Sequence, residues 1–256
     1  MVPPPLCFST KTIYRKKNKT MSIAENIAAI RAQIAEAAIA AGRNPKDILL
    51  CAATKMNGSD AVRQAIAAGV DCCGENRVQE LTQKLSENAY EGAPVHFIGH
   101  LQTNKVRQVV GKVDLIQSVD SMRLLQAIHK EASRQNIVQD ILLEINIGNE
   151  ESKGGFAVSE LESVLPEIAS FPNIRVRGLM AIPPICKNSG DNDKFFQKMC
   201  LLAVDITEKK YDNVSVDIMS MGMSDDYASA IRCGSTMIRI GTAIFGARDY
   251  NKSHQV

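Results

Sequence analysis

Met221-Gly-Met-Ser224 and Arg239-Ile-Gly-Thr242, two short stretches near the end of the chain, are the strongest indication of its fold. Each is a turn of small residues that follows an apolar, strand-like run, 216–219 in the first case and 237–240 in the second. If these runs are the last two strands of a (β/α)8 barrel, both turns lie at its carboxyl-terminal rim. The loops after strands seven and eight commonly bind phosphate there through backbone N–H groups. The two stretches therefore predict a TIM barrel with a phosphate site.

The rest of the chain alternates between strand-like and helical patterns, which favours a closed parallel barrel over the alternative of an open doubly wound sheet. An additional N-terminal helix is predicted at 23–41, opened by a capping box of Ser22 and Glu25. The predicted strands are 48–54, 70–73, 95–98, 115–119, 140–146, 174–180, 216–219 and 237–240. The predicted helices between them are 59–68, 78–87, 103–110, 121–135, 158–170, 193–210 and 225–232.

Length and composition limit the possible functions. The 256 residues fit one barrel, and 45% of them are hydrophobic, which is ample for a core. Aromatic residues make up only 5% and the net charge is +2, so the sequence gives no sign of a nucleic-acid partner. No apolar run reaches the length of a membrane span, so no membrane association is expected.

The N-terminal segment differs in composition from the rest of the chain, and the cysteines and histidines show no pattern of their own. Residues 1–20 contain prolines, lysines and an arginine but no acid, and are expected to be a disordered tail or an upstream start. The single barrel domain is then predicted at 21–256. The seven cysteines and four histidines show no metal-binding spacing along the chain, so we expect no metal site and reduced cysteines in a cytoplasmic protein.

Lys55 is the candidate nucleophile. It follows Leu49-Leu-Cys-Ala-Ala-Thr54 at the end of the first predicted strand, so its amine is expected in the mouth of the barrel. Burial disfavours the ammonium form and lowers the pKa of such an amine, which favours formation of a Schiff base. The alternative is a lysine that extends into solvent.

The two turns and one buried arginine supply candidate contacts for a phosphorylated cofactor. Ser224 could bind phosphate or simply cap a helix, and the same ambiguity holds for Gly241 and Thr242. Arg239 lies in an apolar strand and cannot lose its proton, so it needs a partner. That partner is either the ring nitrogen of a pyridine cofactor or an acid such as Asp217.

These residues lie in segments that closely resemble the pyridoxal phosphate homeostasis protein family, single-domain relatives of the alanine racemase barrel. The resemblance spans about residues 23–250. The segments are Ala52-Ala-Thr-Lys55, Gly74-Glu-Asn-Arg-Val-Gln-Glu80, His96-Phe-Ile-Gly-His-Leu-Gln-Thr-Asn-Lys105, Arg177-Gly-Leu-Met-Ala-Ile182, Ser220-Met-Gly-Met-Ser-Asp-Asp226 and the run from Gly234 to Arg248.

The resemblance implies a fold-type III pyridoxal phosphate (PLP) barrel in which Lys55 holds the cofactor as a Schiff base. It also implies that Arg239 faces the ring nitrogen and that the last turn holds the phosphate. The full set of cofactor contacts implied is Lys55, Asn76, Met223, Ser224, Arg239, Gly241 and Thr242.

The function implied by the resemblance is PLP binding in vitamin B6 homeostasis, without clear catalytic activity. PLP is the expected partner, apo PLP enzymes are possible recipients, and a monomer is expected.

The alternative is a PLP-dependent amino-acid racemase, which needs an acid/base group on each face of the α-carbon. Lys55 could serve one face. Related two-domain racemases supply a tyrosine from a domain that we expect this chain to lack, which leaves Tyr227 as the one candidate. A Schiff-base aldolase is a third reading, with Glu75 or Glu144 as the proton-transfer group.

Overall fold

A computed structural model describes residues 21–150, 153–184 and 189–246. Within these residues eight parallel strands, each hydrogen-bonded to the next, close into a barrel in sequence order, and β1 pairs with β8. This confirms the predicted TIM barrel. The strands are β1 Leu49–Ala53, β2 Cys72–Glu75, β3 Val95–Phe97, β4 Leu115–Val119, β5 Gln139–Glu144, β6 Ile174–Met180, β7 Val214–Ser220 and β8 Met237–Ile240.

Helices follow most of the strands and surround the barrel. The α-helices are α1 Ile23–Ala40, α2 Ser59–Ala67, α3 Val78–Ser86, α4 Met122–Arg134, α5 Leu161–Ala169, α6 Asp193–Glu208, α7 Tyr227–Arg232 and α8 Thr242–Phe245. Short 3-10 helices lie at Pro45–Asp47, Thr103–Gln108, Val158–Glu160 and Ser189–Asn192.

The additional N-terminal helix is confirmed. The Glu25 N–H donates to Ser22 Oγ at 3.2 Å and the Ser22 N–H donates to Glu25 Oε2 at 2.7 Å, which completes the predicted capping box. Along α1 the isoleucines at 27, 30 and 34 recur at helical spacing and are buried. They pack α1 against α7, α8 and α2, next to the last and first strands of the barrel.

Most strands are buried on both faces, as β1 and β8 are, which accounts for their continuous apolar sequence, whereas β7 is partly exposed over 214–218. The outward faces join the helices in one large core. The inward faces form smaller groups inside the barrel, one of which contains Cys51, Cys72 and Met237. Cys51 is the register partner of both Cys72 on β2 and Arg239 on β8, so these side chains share the interior face. The barrel interior is therefore partly polar, and this affects the site described below.

Several local predictions differ from the structure. The 103–110 helix is a 3-10 helix, because its backbone bonds run to the third residue back, as from the Lys105 N–H to the Gln102 carbonyl. The second strand lies later than predicted, at Cys72–Glu75. Helix α7 begins at Tyr227 rather than at 225, because the residues after Ser224 form a separate turn.

Several expectations fall on residues whose structure is not described. Residues 1–20, the predicted tail, and 247–256, which include Arg248 of the last matching segment, are among them. In the described part of the chain no helix is both long and apolar enough to cross a membrane.

Candidate functional site

Lys55 lies at the carboxyl-terminal rim, between residues from the two neighbouring strands. It follows β1 after Thr54 and is half-buried. Asn76 follows β2 directly, and Gly241 follows β8 directly. A Cβ atom added to Gly241 would lie 3.4 Å from the Cβ and carbonyl oxygen of Ala53, so this turn passes beside the end of β1. The fold thus brings an amine, an amide and a glycine turn to one side of the barrel mouth.

A buried polar network holds the backbone just before Lys55. The Glu75 carboxylate is fully buried and accepts from Lys84 Nζ at 2.6 Å, Thr54 Oγ1 at 3.0 Å and Tyr90 OH at 3.0 Å. Lys84 Nζ also donates to the Thr54 carbonyl at 2.9 Å. Burial and the adjacent Glu75 charge raise the pKa of Tyr90 well above its usual value, so its hydroxyl keeps its proton. Glu75 is fully engaged in this network, which argues against its role as the proton-transfer group of an aldolase.

The same carboxylate positions Asn76. The Asn76 N–H donates to Glu75 Oε1 at 3.0 Å. The side-chain oxygen of Asn76 is buried and has no hydrogen-bond partner among the described residues. Such an atom costs about 1–3 kcal/mol when it stays unpaired. Asn76 Oδ1 is therefore ready to accept a hydrogen bond from a bound molecule.

The turn after β7 is closed by its own side chains. The Met223 N–H donates to Asp226 Oδ1 at 2.7 Å, and the N–H groups of Asp226 and Tyr227 both donate to the Met223 carbonyl. Ser224 lies inside this turn, half-buried, and does not cap α7, whose N-cap position is Asp226. The alternative reading of Ser224 as a helix cap is wrong.

The turns after β7 and β8 are joined. The Arg239 N–H donates to the Gly222 carbonyl at 3.0 Å, which fixes the first turn to β8. Thr242 begins α8, where the first N–H groups of a helix have no intrahelical partner. Met223 is 40% exposed and Thr242 is exposed, so both turns open to solvent at the rim. Their placement at one end of the barrel agrees with the predicted phosphate site.

Gly222 provides a test of this turn. Its φ is +97°, and an added Cβ would lie 2.7 Å from the Cβ of Ala230 and 3.0 Å from the Cα of Tyr227. Gly222→Ala is expected to lower the free energy of unfolding by more than the roughly 1–2 kcal/mol that left-handed backbone costs. The matched control is Gly69→Ala, which has φ +89° with open space around the added atom. If urea denaturation gives the same loss of unfolding free energy for Gly222→Ala and Gly69→Ala, the Gly222 turn tolerates a side chain.

Arg239 is buried inside the barrel, 5% exposed, and bonds to neutral oxygens. One terminal nitrogen donates to the carbonyl oxygen of Ser220 at 2.7 Å and to its hydroxyl, and the other donates to the Ala181 carbonyl at 3.0 Å. Burial lowers the pKa of Arg239, while nearby negative groups oppose the shift. The alternative of a salt bridge with Asp217 is wrong, because that exposed carboxylate accepts from Arg177 and Ser215 instead.

The candidate acid/base groups are placed as follows. The Tyr227 hydroxyl donates to the Gln33 side chain on α1, so it does not serve the barrel mouth. Glu144 ends β5 and is half-buried, and burial together with the Asp120 charge raises its pKa. Asp120 itself lies 3.1 Å from Nδ1 of the exposed His100.

Some residues that shape the site were not predicted from the sequence. Ser220, Gln117 and the Ala181 carbonyl form the surroundings of Arg239, since Ser220 Oγ also donates to Gln117 Oε1 at 2.6 Å. Lys84, on α3, was also not predicted; its amine donates to the Thr54 carbonyl next to Lys55. The sequence does show a polar residue, Ser220, at the end of a strand, which could have indicated a polar site. It does not show that Ser220 contacts Arg239.

Comparison with known proteins places the chain in a family. The model of the alanine racemase N-terminal domain matches residues 23–249. The pyridoxal phosphate homeostasis protein of Aquifex aeolicus is 40% identical over 230 residues, which cover 90% of this chain and 100% of the relative. The protein of the same name from Escherichia coli strain K12 is 40% identical over 233 residues, covering 90% and 98% of the two chains.

Solved structures give the same result. PipY of Synechococcus elongatus with PLP bound is 30% identical, with a TM-score of 0.77, and covers 88% of this chain and 100% of its own. An alanine racemase of Clostridium difficile has a TM-score of 0.63 at 16% identity, covering 87% and 57%, which shows a shared fold alone. With full-length relatives at this identity and a family model that spans the barrel, this chain belongs to the pyridoxal phosphate homeostasis protein family.

Proposed function

We propose that this protein binds pyridoxal 5'-phosphate and acts in intracellular PLP homeostasis, with the Lys55 amine holding the cofactor as a Schiff base. The observation that carries the proposal is the arrangement at the rim, where Lys55 lies between Asn76 on one side and Gly241 on the other. The PLP-bound structure of the 30% identical PipY and the names of the bacterial relatives support it.

The described residues fit the chemical groups of PLP. The backbone N–H groups of Ser224, Gly241 and Thr242 would hold the phosphate, because both turns open at the rim and are joined through Arg239 and Gly222. Met223 would line the site through its side chain, since its N–H donates to Asp226. The unpaired Oδ1 of Asn76 would accept from the ring hydroxyl. Lys55 would form the covalent bond from the end of β1.

Arg239 would face the ring nitrogen and is expected to keep this site from strong catalysis. Bound PLP supplies an electron sink, whose strength depends on a proton at the ring nitrogen. Arg239 would donate a hydrogen bond to that nitrogen and would not protonate it, because a guanidinium retains its proton. Two of its hydrogen bonds go to the backbone carbonyls of Ser220 and Ala181, which hold it in place. We therefore infer a carrier or regulator rather than an enzyme.

The placement of Tyr227 and Tyr90 does not support the racemase alternative. A second acid/base group opposite Lys55 is required. The Tyr227 hydroxyl is bonded to Gln33, and the Tyr90 hydroxyl is bonded to Glu75.

We also propose that the protein acts as a monomer in the cytoplasm, with apo PLP enzymes as recipients. The free thiols of Cys51, Cys72 and Cys73 fit a reducing compartment.

Proton exchange tests the proposal. The PLP-loaded protein, incubated with L-alanine in deuterium oxide, is expected to leave the α-proton in place, as followed by proton NMR. Lys55→Ala protein with the same amount of PLP is the control for exchange by the free cofactor. Rapid exchange with formation of D-alanine by the unmodified protein alone would contradict the carrier assignment.

A further inference from the structure

Inside the barrel, away from the rim, three potential metal ligands come together. They are the thiols of Cys51 on β1 and Cys72 on β2 and the imidazole of His96 on β3. One ligand atom from each lies within 4.8 Å of the other two, and all three residues are buried. We propose that these residues form a binding site for a thiophilic metal ion, with copper(I) favoured over zinc(II).

The fold itself produces this arrangement. Cys51 and Cys72 are register partners on adjacent parallel strands, so their side chains point the same way. His96 is the register partner of Gly74, two residues after Cys72 on the same interior face. A Cβ atom at Gly74 would lie 2.9 Å from Cys51 Sγ, so this glycine leaves the space that the thiol occupies. Two sulfurs about 2.3 Å from one three-coordinate ion lie about 4.0 Å apart. This fits the 4.8 Å within which the three ligand atoms lie.

The ligand types select a soft ion. Met237 belongs to the same interior group as both cysteines, and its thioether sulfur accepts from the Gln117 side-chain nitrogen at 3.1 Å. Thiolate and thioether sulfurs favour copper(I) and zinc(II), whereas magnesium and calcium require oxygen ligands. No carboxylate belongs to this group of ligands among the described residues.

Charge favours the monovalent ion. Arg239 is the register partner of Cys51 on β8 and makes its hydrogen bonds to neutral oxygens. A buried charge is costly unless an opposite charge compensates it. Copper(I) on two thiolates carries a net charge of −1, which would balance the guanidinium. Zinc(II) on the same ligands is neutral and would not.

A neighbouring amide can orient the imidazole. The Gln117 side-chain nitrogen lies 2.8 Å from His96 Nδ1, which leaves Nε2 for the metal. A metal at Nε2 places the proton on Nδ1, and a half-turn of the amide presents Gln117 Oε1 to it. The same half-turn takes the amide nitrogen away from the Met237 sulfur, to which it donates at 3.1 Å in this structure, and places it beside Ser220 Oγ, which then accepts instead of donating. Ligating histidines usually have such a partner for their second nitrogen.

The sequence led us to expect no metal site, because its cysteines and histidines show no metal-binding spacing along the chain. We propose this site instead. The three ligands come from three different strands, so no short motif contains them. Because the site is buried and its ligands come together only in the folded barrel, the ion would enter during folding.

Metal retention tests the proposal. The full-length protein is refolded anaerobically with one equivalent of copper(I) or zinc(II), treated with a competing chelator, and assayed for metal per chain by mass spectrometry. The unmodified protein is expected to retain one copper(I), and Cys51→Ser and Cys72→Ser are expected to fall to background. The matched control is Cys73→Ser, because this buried cysteine faces the outer core, and it should retain the ion.

X-ray absorption on the loaded unmodified protein gives a second readout that does not depend on variants folding. Two sulfur neighbours at about 2.3 Å and one nitrogen neighbour are expected. Zinc(II) retained in preference to copper(I) would contradict the assigned ion and the charge argument behind it. The proposal would be overturned by no retained metal, by equal retention in Cys51→Ser, or by a Cys51–Cys72 disulfide in protein alkylated at lysis. None of these readouts depends on PLP.

Discussion

Replacing Lys55 by alanine is expected to abolish covalent retention of PLP while leaving weak binding through the phosphate. Lys55 follows β1 at the rim, and the two turns that would hold the phosphate are built from other strands. The absorption band of the bound cofactor should disappear from the variant after gel filtration. Equilibrium dialysis should still detect binding that inorganic phosphate displaces.

The matched control is Lys112→Ala. Lys112 is exposed and precedes β4, so it lies toward the opposite end of the barrel, and its removal should leave the spectrum unchanged. An unchanged spectrum in Lys55→Ala would show that another lysine is bonded to the cofactor.

Replacing Lys84 by methionine is expected to lower the free energy of unfolding by about 3–5 kcal/mol, because it leaves a buried carboxylate without its counter-ion. The Lys84 and Glu75 side chains are 6% and 0% exposed, and their charged atoms are 2.6 Å apart. The variant should also bind PLP more weakly, because Lys84 holds the Thr54 carbonyl next to Lys55. Urea denaturation and a PLP titration measure the two effects.

A double variant separates the missing charge from the missing packing. Glu75→Gln combined with Lys84→Met removes both charges, and is expected to recover part of the stability lost in Lys84→Met. Lys112→Met, an exposed control, should change stability by no more than about 0.5 kcal/mol. A loss of similar size in Lys84→Met and Lys112→Met would show that the buried pair contributes little.

The barrel could be predicted from sequence because its signal is local. Most strands are short and buried on both faces, as β1, β4 and β8 are, and the turns after β7 and β8 contain glycines at defined positions. The capping box before α1 is equally local, because Ser22 and Glu25 contact each other within one turn. Strand ends were less certain, and β2 was placed too early, since its Gly74 and Glu75 do not look like strand residues in isolation.

The contacts of the site could be predicted only in part, because they join distant strands. That Arg239 needs a partner follows from its charge, but its bonds to Ser220 and Ala181 depend on how β8 meets β6 and β7. The Lys84–Glu75 ion pair forms where α3 packs on β2, and the local sequence of neither segment predicts it. The cluster of Cys51, Cys72 and His96 is a further case, because strand register alone brings it together.

Borohydride reduction of the PLP-loaded protein, followed by peptide mass mapping, tests the Schiff base on Lys55. We expect one pyridoxyl group per chain, attached to Lys55, and loss of the visible absorption band on reduction. A pyridoxyl group on a different lysine, or a reduced protein whose peptides all keep their unmodified mass, would contradict it.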